Sequence, residues 1–206
     1  MMIMQEVIEK MKSNDLKRVT IRINGTNMNF SIGQEENCIP PSQTLAQTLR
    51  DMLLLTGTKT PCNKGECGGC TVLIDGIPRL ACSTLTTECS GAEIITIEGL
   101  KDPQTGELHP IQQAFIDIDA IQCGMCTPGI TMTAVAFLKK NPNPTRAEIS
   151  EALAGNICRC TGYEKYIDGI ILAAARMRGE TVDLNNDMFG KDKTCACERI
   201  HIEGQL

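Results

Sequence analysis

Apolar and polar residues alternate along two short stretches near the start of the chain and predict a β-hairpin. The apolar positions of the two stretches are Val19, Ile21, Ile23, Met28, Phe30 and Ile32. A period of two places alternate side chains on one face of a strand. Asn24 and Gly25, between the stretches, form a dipeptide typical of a tight type I′ turn. The segment is therefore predicted to form two antiparallel strands.

The same reasoning predicts one helix and three more strands before residue 99. Behind Ser42 or Thr44 as N-cap, apolar residues recur at helical spacing at Leu45, Leu49, Met52 and Leu53. A second hairpin is predicted over 71–74 and 77–81, with Asp75-Gly76 as its turn, and a last strand over 94–98. We expect a small mixed sheet that grips one helix.

From about residue 109 onward the apolar spacing becomes helical. Four segments carry it: Ile111, Ala114, Phe115 and Ile118; Ile130, Ala134, Phe137 and Leu138; Ile149, Ala152 and Leu153; and Ile167, Ile170, Ile171 and Ala174. Pro110 precedes the first segment at an N1-like position, and residues Thr145 to Glu148 form a capping box before the third. Four helices of this kind predict a bundle.

The change of pattern divides the chain into parts. We predict an α+β protein with a sheet domain over 19–98, an exposed linker over 99–108 and a four-helix bundle over 109–179. Residues 1–18 form an N-terminal extension and residues 180–206 a C-terminal one. In the first, the spacing of Met4, Val7, Ile8 and Met11 predicts a short amphipathic helix. The alternatives for it are a lid on the domain's own surface or a frayed end, which we favour, and a helix that docks on a partner.

Twelve cysteines in 206 residues indicate either the disulfides of a secreted protein or a set of metal ligands. The first residues contain no basic segment followed by an apolar one, so we expect a cytoplasmic protein whose cysteines bind metal. No apolar run approaches the ~20 residues needed to cross a bilayer. A net charge of -5 gives no attraction for nucleic acid or anionic lipid. We therefore expect protein partners, no nucleic acid and no membrane span.

A first set of cysteines follows the helix predicted behind Ser42 or Thr44, and its spacing predicts an iron–sulfur cluster. Its members are Cys62, Cys67, Cys70 and Cys82. A C-x4-C-x2-C spacing with a distant fourth cysteine is the plant-type arrangement of thiolates around a 2Fe-2S cluster. Gly65, Gly68 and Gly69 lie among them and allow positive-φ turns and close approach of N–H groups to the sulfides. A four-thiolate zinc site is the alternative, although zinc favours paired CxxC motifs.

A second set of cysteines lies in the helical region. Its members are Cys123, Cys126, Cys158 and Cys160. Each pair directly precedes a predicted helix, the first with Thr127-Pro128 as N-cap and N1, the second with a capping box from Thr161 to Glu164. The positive ends of two helices are expected to stabilise an anionic 2Fe-2S cluster. From the residues alone, zinc remains an alternative to iron for this set.

The remaining metal-capable residues are less informative. Cys38 and Cys89 are predicted to be small core residues. His109 is predicted to be a loop residue, because no Ser, Cys or carboxylate constellation that would serve a catalytic base surrounds it in sequence. We predict no catalytic residue on this chain.

The C-terminal extension contains three metal-capable residues without an obvious fourth, which are Cys195, Cys197 and His201. The alternatives for this segment are a further metal or redox site, an extension against a partner subunit, and disorder.

With both cysteine sets placed, the chain resembles the small iron–sulfur subunit of the molybdenum hydroxylases, the xanthine dehydrogenase, aldehyde oxidoreductase and nicotinate dehydrogenase family. The matching segments are 56–59, 65–73, 122–129 and 155–163 within an overall resemblance over 19–179. The resemblance implies a β-grasp ferredoxin-like domain followed by a four-helix bundle, each with a 2Fe-2S cluster, and so implies iron at the second set. Pro61-Cys62-Asn63 departs from the family's usual Gly-Cys pairing, which affects the expected potential of that cluster rather than its ligation.

The family resemblance also implies partners and a direction for electrons. A large subunit would bind the molybdopterin cofactor and hydroxylate an N-heterocycle or aldehyde, and a medium subunit would bind FAD. Cys123, Cys126, Cys158 and Cys160 would hold the cluster near molybdenum, and Cys62, Cys67, Cys70 and Cys82 the cluster near the flavin. Gln122 and Cys160 match positions that contact the pterin. The hypothesis is an electron-transfer subunit without a substrate site, and the rival hypotheses are a free-standing electron carrier and a zinc-stabilised interaction module.

Overall fold

Five short strands form one mixed sheet in the computed structural model, which describes residues 18–35 and 38–182. The strands are β1 (Arg18–Ile23), β2 (Thr26–Ser31), β3 (Thr71–Ile74), β4 (Ile77–Leu80) and β5 (Glu93–Ile95). Their order is β2-β1-β5-β3-β4. The pair β1 and β5 is parallel, and the other neighbours are antiparallel. The last strand in sequence therefore lies in the middle of the sheet.

Both predicted hairpins are confirmed. Asn24 and Gly25 have φ angles of 48° and 82°, and Asp75 and Gly76 have φ angles of 51° and 77°. Two consecutive residues with positive φ define the type I′ turn, which Asn-Gly and Asp-Gly adopt with little strain. Each turn leads the chain straight back along the preceding strand.

The predicted strand over 94–98 is wrong at its end. The observed strand stops at Ile95, and a 3₁₀ turn follows over Ile97–Leu100. The reason is that Thr96 hydrogen-bonds to the side chain of Asn24 instead of to the backbone of a neighbouring strand. The N–H of Thr96 donates to Oδ1 of Asn24 at 2.9 Å, and Nδ2 of Asn24 donates to the Thr96 hydroxyl at 2.9 Å.

The helix predicted behind the first hairpin is confirmed, with Thr44 as its N-cap. This helix, α1 (Leu45–Gln47), continues as a π-helical turn over Thr48–Met52. Thr44 and Gln47 form a capping box, since each side chain accepts from the other's backbone N–H. Leu45 and Leu49 are fully buried in the core beneath the sheet.

The four predicted C-terminal helices are also present. They are α2 (Pro110–Asp117), α3 (Thr127–Lys140), α4 (Arg146–Ala152) and α5 (Glu164–Met177). The predicted capping box of Thr145 and Glu148 opens α4. Polar contacts join neighbouring helices, because Arg146 pairs with Glu164 and Asp168 of α5, and Arg176 pairs with Asp117 of α2. No helix in the described residues is both long and apolar enough to cross a membrane.

The two hydrophobic cores of the molecule meet at β3. Val72 belongs to the core of the sheet, whereas Leu73, the next residue, belongs to the core formed by the helices. Successive side chains of a strand point to opposite faces. Helix α3 packs on the second face of β3, which explains why three consecutive residues of this strand are buried. The segment preceding β3 is therefore held between the sheet and the helices.

Two predictions concern segments outside the described residues. The short helix predicted within residues 1–18 lies before Arg18, the first described residue. The tail with Cys195, Cys197 and His201 lies after Val182, the last one.

Candidate metal centres

The first cysteine set is brought together by the hairpin of β3 and β4. Cys70 immediately precedes β3, and Cys82 lies in the 3₁₀ turn Ala81–Ser83 that follows β4. Because the two strands are antiparallel, the chain returns to where it started, and the N–H of Ala81 donates to the carbonyl of Cys70 at 3.2 Å. The separation of eleven residues between the third and fourth cysteines is thus the length of one hairpin.

The four side chains of this set meet in two pairs, Cys62 with Cys67 and Cys70 with Cys82. The backbone N–H groups of Lys64 and Glu66 point at the Cys62 sulfur and lower the pKa of that thiol to about 6, with the Lys64 nitrogen 3.4 Å away. Burial raises the pKa of Cys70 to about 12. A buried thiolate at Cys70 therefore needs a bound cation, whereas the loop itself favours the thiolate at Cys62.

The second cysteine set lies at the starts of helices α3 and α5. Cys126 is itself the N-cap of α3, so the prediction of Thr127 as N-cap is wrong by one residue. Burial raises the pKa of the Cys126 thiol to about 11. The N-terminus of helix α3 adjoins this sulfur and favours the thiolate that a metal would bind, which opposes the effect of desolvation.

The capping box predicted for Thr161 and Glu164 is wrong. The N-cap of α5 is Tyr163, which has a positive φ of 68° and no side-chain cap. The Thr161 hydroxyl instead accepts from the N–H of Tyr163 at 3.2 Å and lies 3.1 Å from the Cys158 sulfur. Glu164 pairs with Arg146. Thr161 thus contacts the cysteine loop, and Glu164 joins helix α5 to helix α4, so neither residue caps α5.

The second set also meets in two pairs. The sulfurs of Cys123 and Cys160 are 3.6 Å apart, and both residues are exposed. Cys126 contacts Cys158, and these are buried and partly buried. A cavity of about 200 Å³ is lined by all four of these cysteines and by Cys67 of the first set.

The paired arrangement suits a binuclear cluster. Among the described residues, no three His, Cys, Asp or Glu side chains converge on a single metal position. A structural zinc ion requires four converging ligands, whereas a 2Fe-2S cluster takes two sulfurs at each of two irons. The two sulfur pairs at each site match the ligand arrangement of a 2Fe-2S cluster.

The two cysteine loops touch each other directly. The N–H of Ile157, the residue before Cys158, donates to the carbonyl of Cys67 at 2.9 Å. The buried side chain of Asn156 donates to the carbonyl of Gly68 at 3.2 Å. A Cβ at Gly129 would lie 2.1 Å from that same carbonyl oxygen, so helix α3 can approach the loop only because position 129 has no side chain. The contact fixes one candidate centre against the other.

Tyr163 holds the second loop in shape. Its hydroxyl accepts from the N–H of Cys158 at 2.7 Å and donates to the carbonyl of Asn156 at 2.9 Å. One side chain therefore satisfies a donor and an acceptor of a loop whose own backbone cannot pair them.

Replacing Tyr163 with phenylalanine is expected to lower the free energy of unfolding by about 1–3 kcal/mol, because the N–H of Cys158 loses its partner in a half-buried loop. Thermal or urea unfolding monitored by circular dichroism measures the change. Thr20→Val is the control, since the Thr20 hydroxyl bonds Asn29 on the exposed face of the first hairpin and its loss should change stability by less than about 0.5 kcal/mol. Equal stabilities of the two variants would contradict the assigned role of Tyr163.

The other residues singled out in the sequence take the following places. Gln122 is exposed next to Cys123. His109 is the N-cap of α2, and its Nδ1 accepts from the N–H of Ile111 at 3.3 Å, which fits a structural rather than a catalytic residue. Cys89 is buried in the sheet core as predicted, but Cys38 is only partly buried and lies outside both cores. Pattern reasoning missed Asn156 and Gly129, since only contacts between distant segments give them a role.

Comparison with known proteins finds two matching domain families and several similar proteins. Residues 43–107 match a family described as a 2Fe-2S iron-sulfur cluster binding domain, and residues 96–171 match a family described as a 2Fe-2S binding domain. The nicotine 6-hydroxylase small subunit of Paenarthrobacter nicotinovorans is 39% identical over 164 residues, which cover 80% of this chain and 93% of that protein. The nicotinate dehydrogenase small FeS subunit of Eubacterium barkeri is 40% identical over 161 residues, covering 78% and 98%.

A solved structure shows the same fold. A chain of quinoline 2-oxidoreductase from Pseudomonas putida 86 superposes with a TM-score of 0.70 at 43% identity, covering 81% of this chain and 99% of that one. The chain thus contains two 2Fe-2S binding domains. The first family match covers the first cysteine set and three of the five strands, and the second covers the second cysteine set and most of the helices.

Proposed function

We propose a function on one premise: the chain belongs to the family of small iron–sulfur subunits of the molybdenum hydroxylases, the xanthine dehydrogenase and aldehyde oxidoreductase type. Its role is electron transfer within an oxidoreductase complex, from a molybdopterin centre on a large subunit to FAD on a medium subunit. The substrate is an N-heterocycle or an aldehyde and binds to the large subunit, so this chain carries no substrate site.

The eight paired cysteines are the proposed ligands. In the sheet domain one iron is held by Cys62 and Cys67 and the other by Cys70 and Cys82, following the side-chain contacts. Each 2Fe-2S cluster, when bound, supplies a site that accepts and releases one electron.

In the helical domain the irons are held by Cys123 with Cys160 and by Cys126 with Cys158. The sheet domain is proposed to be a β-grasp over 19–98, and the helical domain a four-helix bundle over 109–179, with 99–108 as the linker. The order of the five strands around α1 supports the first part of that proposal.

The contact between the two cysteine loops is the observation that carries the proposal. Cys67 accepts a hydrogen bond from Ile157, the neighbour of Cys158, so a ligand of one cluster is linked to a ligand of the other by a few covalent bonds and one hydrogen bond. The Asn156 hydrogen bond to the Gly68 carbonyl and the missing side chain of Gly129 keep this contact close. A contact this short supports electron transfer between the two clusters.

The exposed side of the second cluster is proposed to face the large subunit. Met125 and Ile157 are 48% and 57% exposed beside the exposed Cys123 and Cys160. Apolar side chains around a metal centre shield it from water only when a partner covers them. Gln122 and Cys160 are then the residues that contact the pterin, and the loop of Cys62 faces the flavin subunit.

Electron paramagnetic resonance of the dithionite-reduced full chain tests the proposal. We expect two distinct 2Fe-2S signals, and an iron content of about four per chain, because each cluster contains two irons. Mass spectrometric identification of co-purifying subunits should find a molybdopterin-binding and a FAD-binding protein. A colourless chain that contains zinc and gives no signal would mean that the iron assignment is wrong, and a competent monomer without partners would identify a free-standing carrier.

A further inference from the structure

The buried hydroxyl of Tyr166 lies beside the sulfur of Cys126. Tyr166 is fully buried in helix α5, and its hydroxyl oxygen is 3.6 Å from the Cys126 sulfur and 2.7 Å from the Thr127 hydroxyl. The ring is fixed by edge-to-face packing on Phe115, with ring centroids 4.9 Å apart. The position of the hydroxyl is therefore set by the core and not by the cysteine loop.

The direction of these two hydrogen bonds follows from the chemistry of the bound sulfur. A cluster-ligating Cys126 is a thiolate, which has no proton and can only accept. Each hydroxyl has one proton. The arrangement that satisfies all three atoms has Thr127 donating to the Tyr166 oxygen and Tyr166 donating to the Cys126 sulfur, because a buried hydroxyl needs partners for its proton and its lone pairs.

We propose that Tyr166 is a positioning residue whose hydroxyl donates a hydrogen bond to the Cys126 sulfur and raises the reduction potential of the cluster in the helical domain. Reduction adds one electron, supplied by dithionite in the test, and breaks no bond. The added negative charge strengthens an O–H···S bond, so the donor favours the reduced state. The proposal rests on the ligation by Cys126 proposed above.

No other side-chain donor in the described residues contacts the Cys126 sulfur besides the neighbouring cysteine. Removal of the Tyr166 hydroxyl should therefore leave the Cys126 sulfur without this hydrogen bond, and no other side-chain donor in the described part of the chain is placed to replace it. The sheet-domain cluster has its own donors, such as the N–H of Lys64 at Cys62, and should not respond.

Tyr166→Phe in the full chain tests the proposal, since it removes the hydroxyl and keeps the ring. Potentiometric titration followed by electron paramagnetic resonance measures the midpoint of each signal. We expect the helical-domain signal to become harder to reduce by about tenfold in equilibrium constant, which corresponds to a shift of ~59 mV to more negative potential for one electron. The other signal should keep its potential. Unchanged midpoints for both signals would overturn the proposal.

Thr127 provides a second variant pair if Tyr166→Phe does not assemble. Thr127→Val removes the hydroxyl that polarises Tyr166 and should shift the same signal in the same direction by less, whereas Thr127→Ser keeps the hydroxyl and should not shift it. Equal potentials for these two variants would overturn the proposal. A wild-type chain without a second signal would instead overturn the proposed ligation, so the two failures are distinguishable.

Discussion

Replacing Gly129 with alanine is expected to push the two cysteine loops apart and to lower the free energy of unfolding by about 1–3 kcal/mol. The new Cβ would lie 2.1 Å from the carbonyl oxygen of Gly68, which is backbone and cannot rotate away. Alanine normally stabilises a helix interior relative to glycine by about 1 kcal/mol, but that gain does not offset a clash with backbone. Helix α3 or the Gly68 loop must therefore move.

Thermal unfolding measures this loss, at about 2–4 °C in Tm for each kcal/mol in a chain of this size. Stopped-flow reduction should also show slower electron exchange between the two clusters. Gly155→Ala is the matched control: Gly155 adjoins the same contact through its carbonyl, but a Cβ there meets nothing within 4 Å. A Gly129→Ala variant as stable as the Gly155→Ala variant would contradict the close approach.

Cys160→Ser is expected to abolish one of the two paramagnetic signals and to leave the other. Cys160 contributes to the exposed sulfur pair of the helical domain, and under the proposed ligation its loss would leave one iron with a single thiolate. In the proposed complex this cluster is the entry point for electrons from the molybdenum centre, so reduction by substrate should fall to a small fraction of the wild-type rate. Paramagnetic resonance and rapid-reaction absorbance measure the two effects.

Cys38→Ser is the control for the cysteine variants. Cys38 is partly buried and belongs to neither set, so this variant should retain both signals and the wild-type rate of reduction. Loss of both signals in Cys160→Ser would show that the two domains assemble only together. Retention of both signals would remove Cys160 from the ligand set.

Features governed by neighbouring residues could be predicted from the sequence. Asn24-Gly25 and Asp75-Gly76 require positive φ at both positions, so they specify their turns without help from the rest of the chain. Thr44 also caps its helix as expected, because the partner group lies three residues away. The spacing also predicts which cysteines lie close together, since a hairpin gathers the first set and two helix starts gather the second.

Features governed by distant residues could not be predicted. Thr161 carries a good local capping signal, yet its hydroxyl lies beside Cys158 and leaves Tyr163 to begin the helix. A capping bond contributes about 1 kcal/mol, and the two contacts that Thr161 makes in the loop are of the same order, so they can replace it. The roles of Gly129 and Tyr166 likewise depend on what another segment places beside them, and no pattern along the chain contains that information.

The position of β5 between β1 and β3 limits when the sheet can form during synthesis of the chain. Each hairpin alone is marginally stable, and the two are joined only through β5, which pairs with β1 at Arg22 and Glu93 and with β3 at Leu73 and Ile95. Ordering the long intervening segment is costly until those pairs form. The nascent chain must therefore extend past Ile95 before the two hairpins can join into one sheet, so the sheet is completed only after the loop of the first cysteine set has been synthesised.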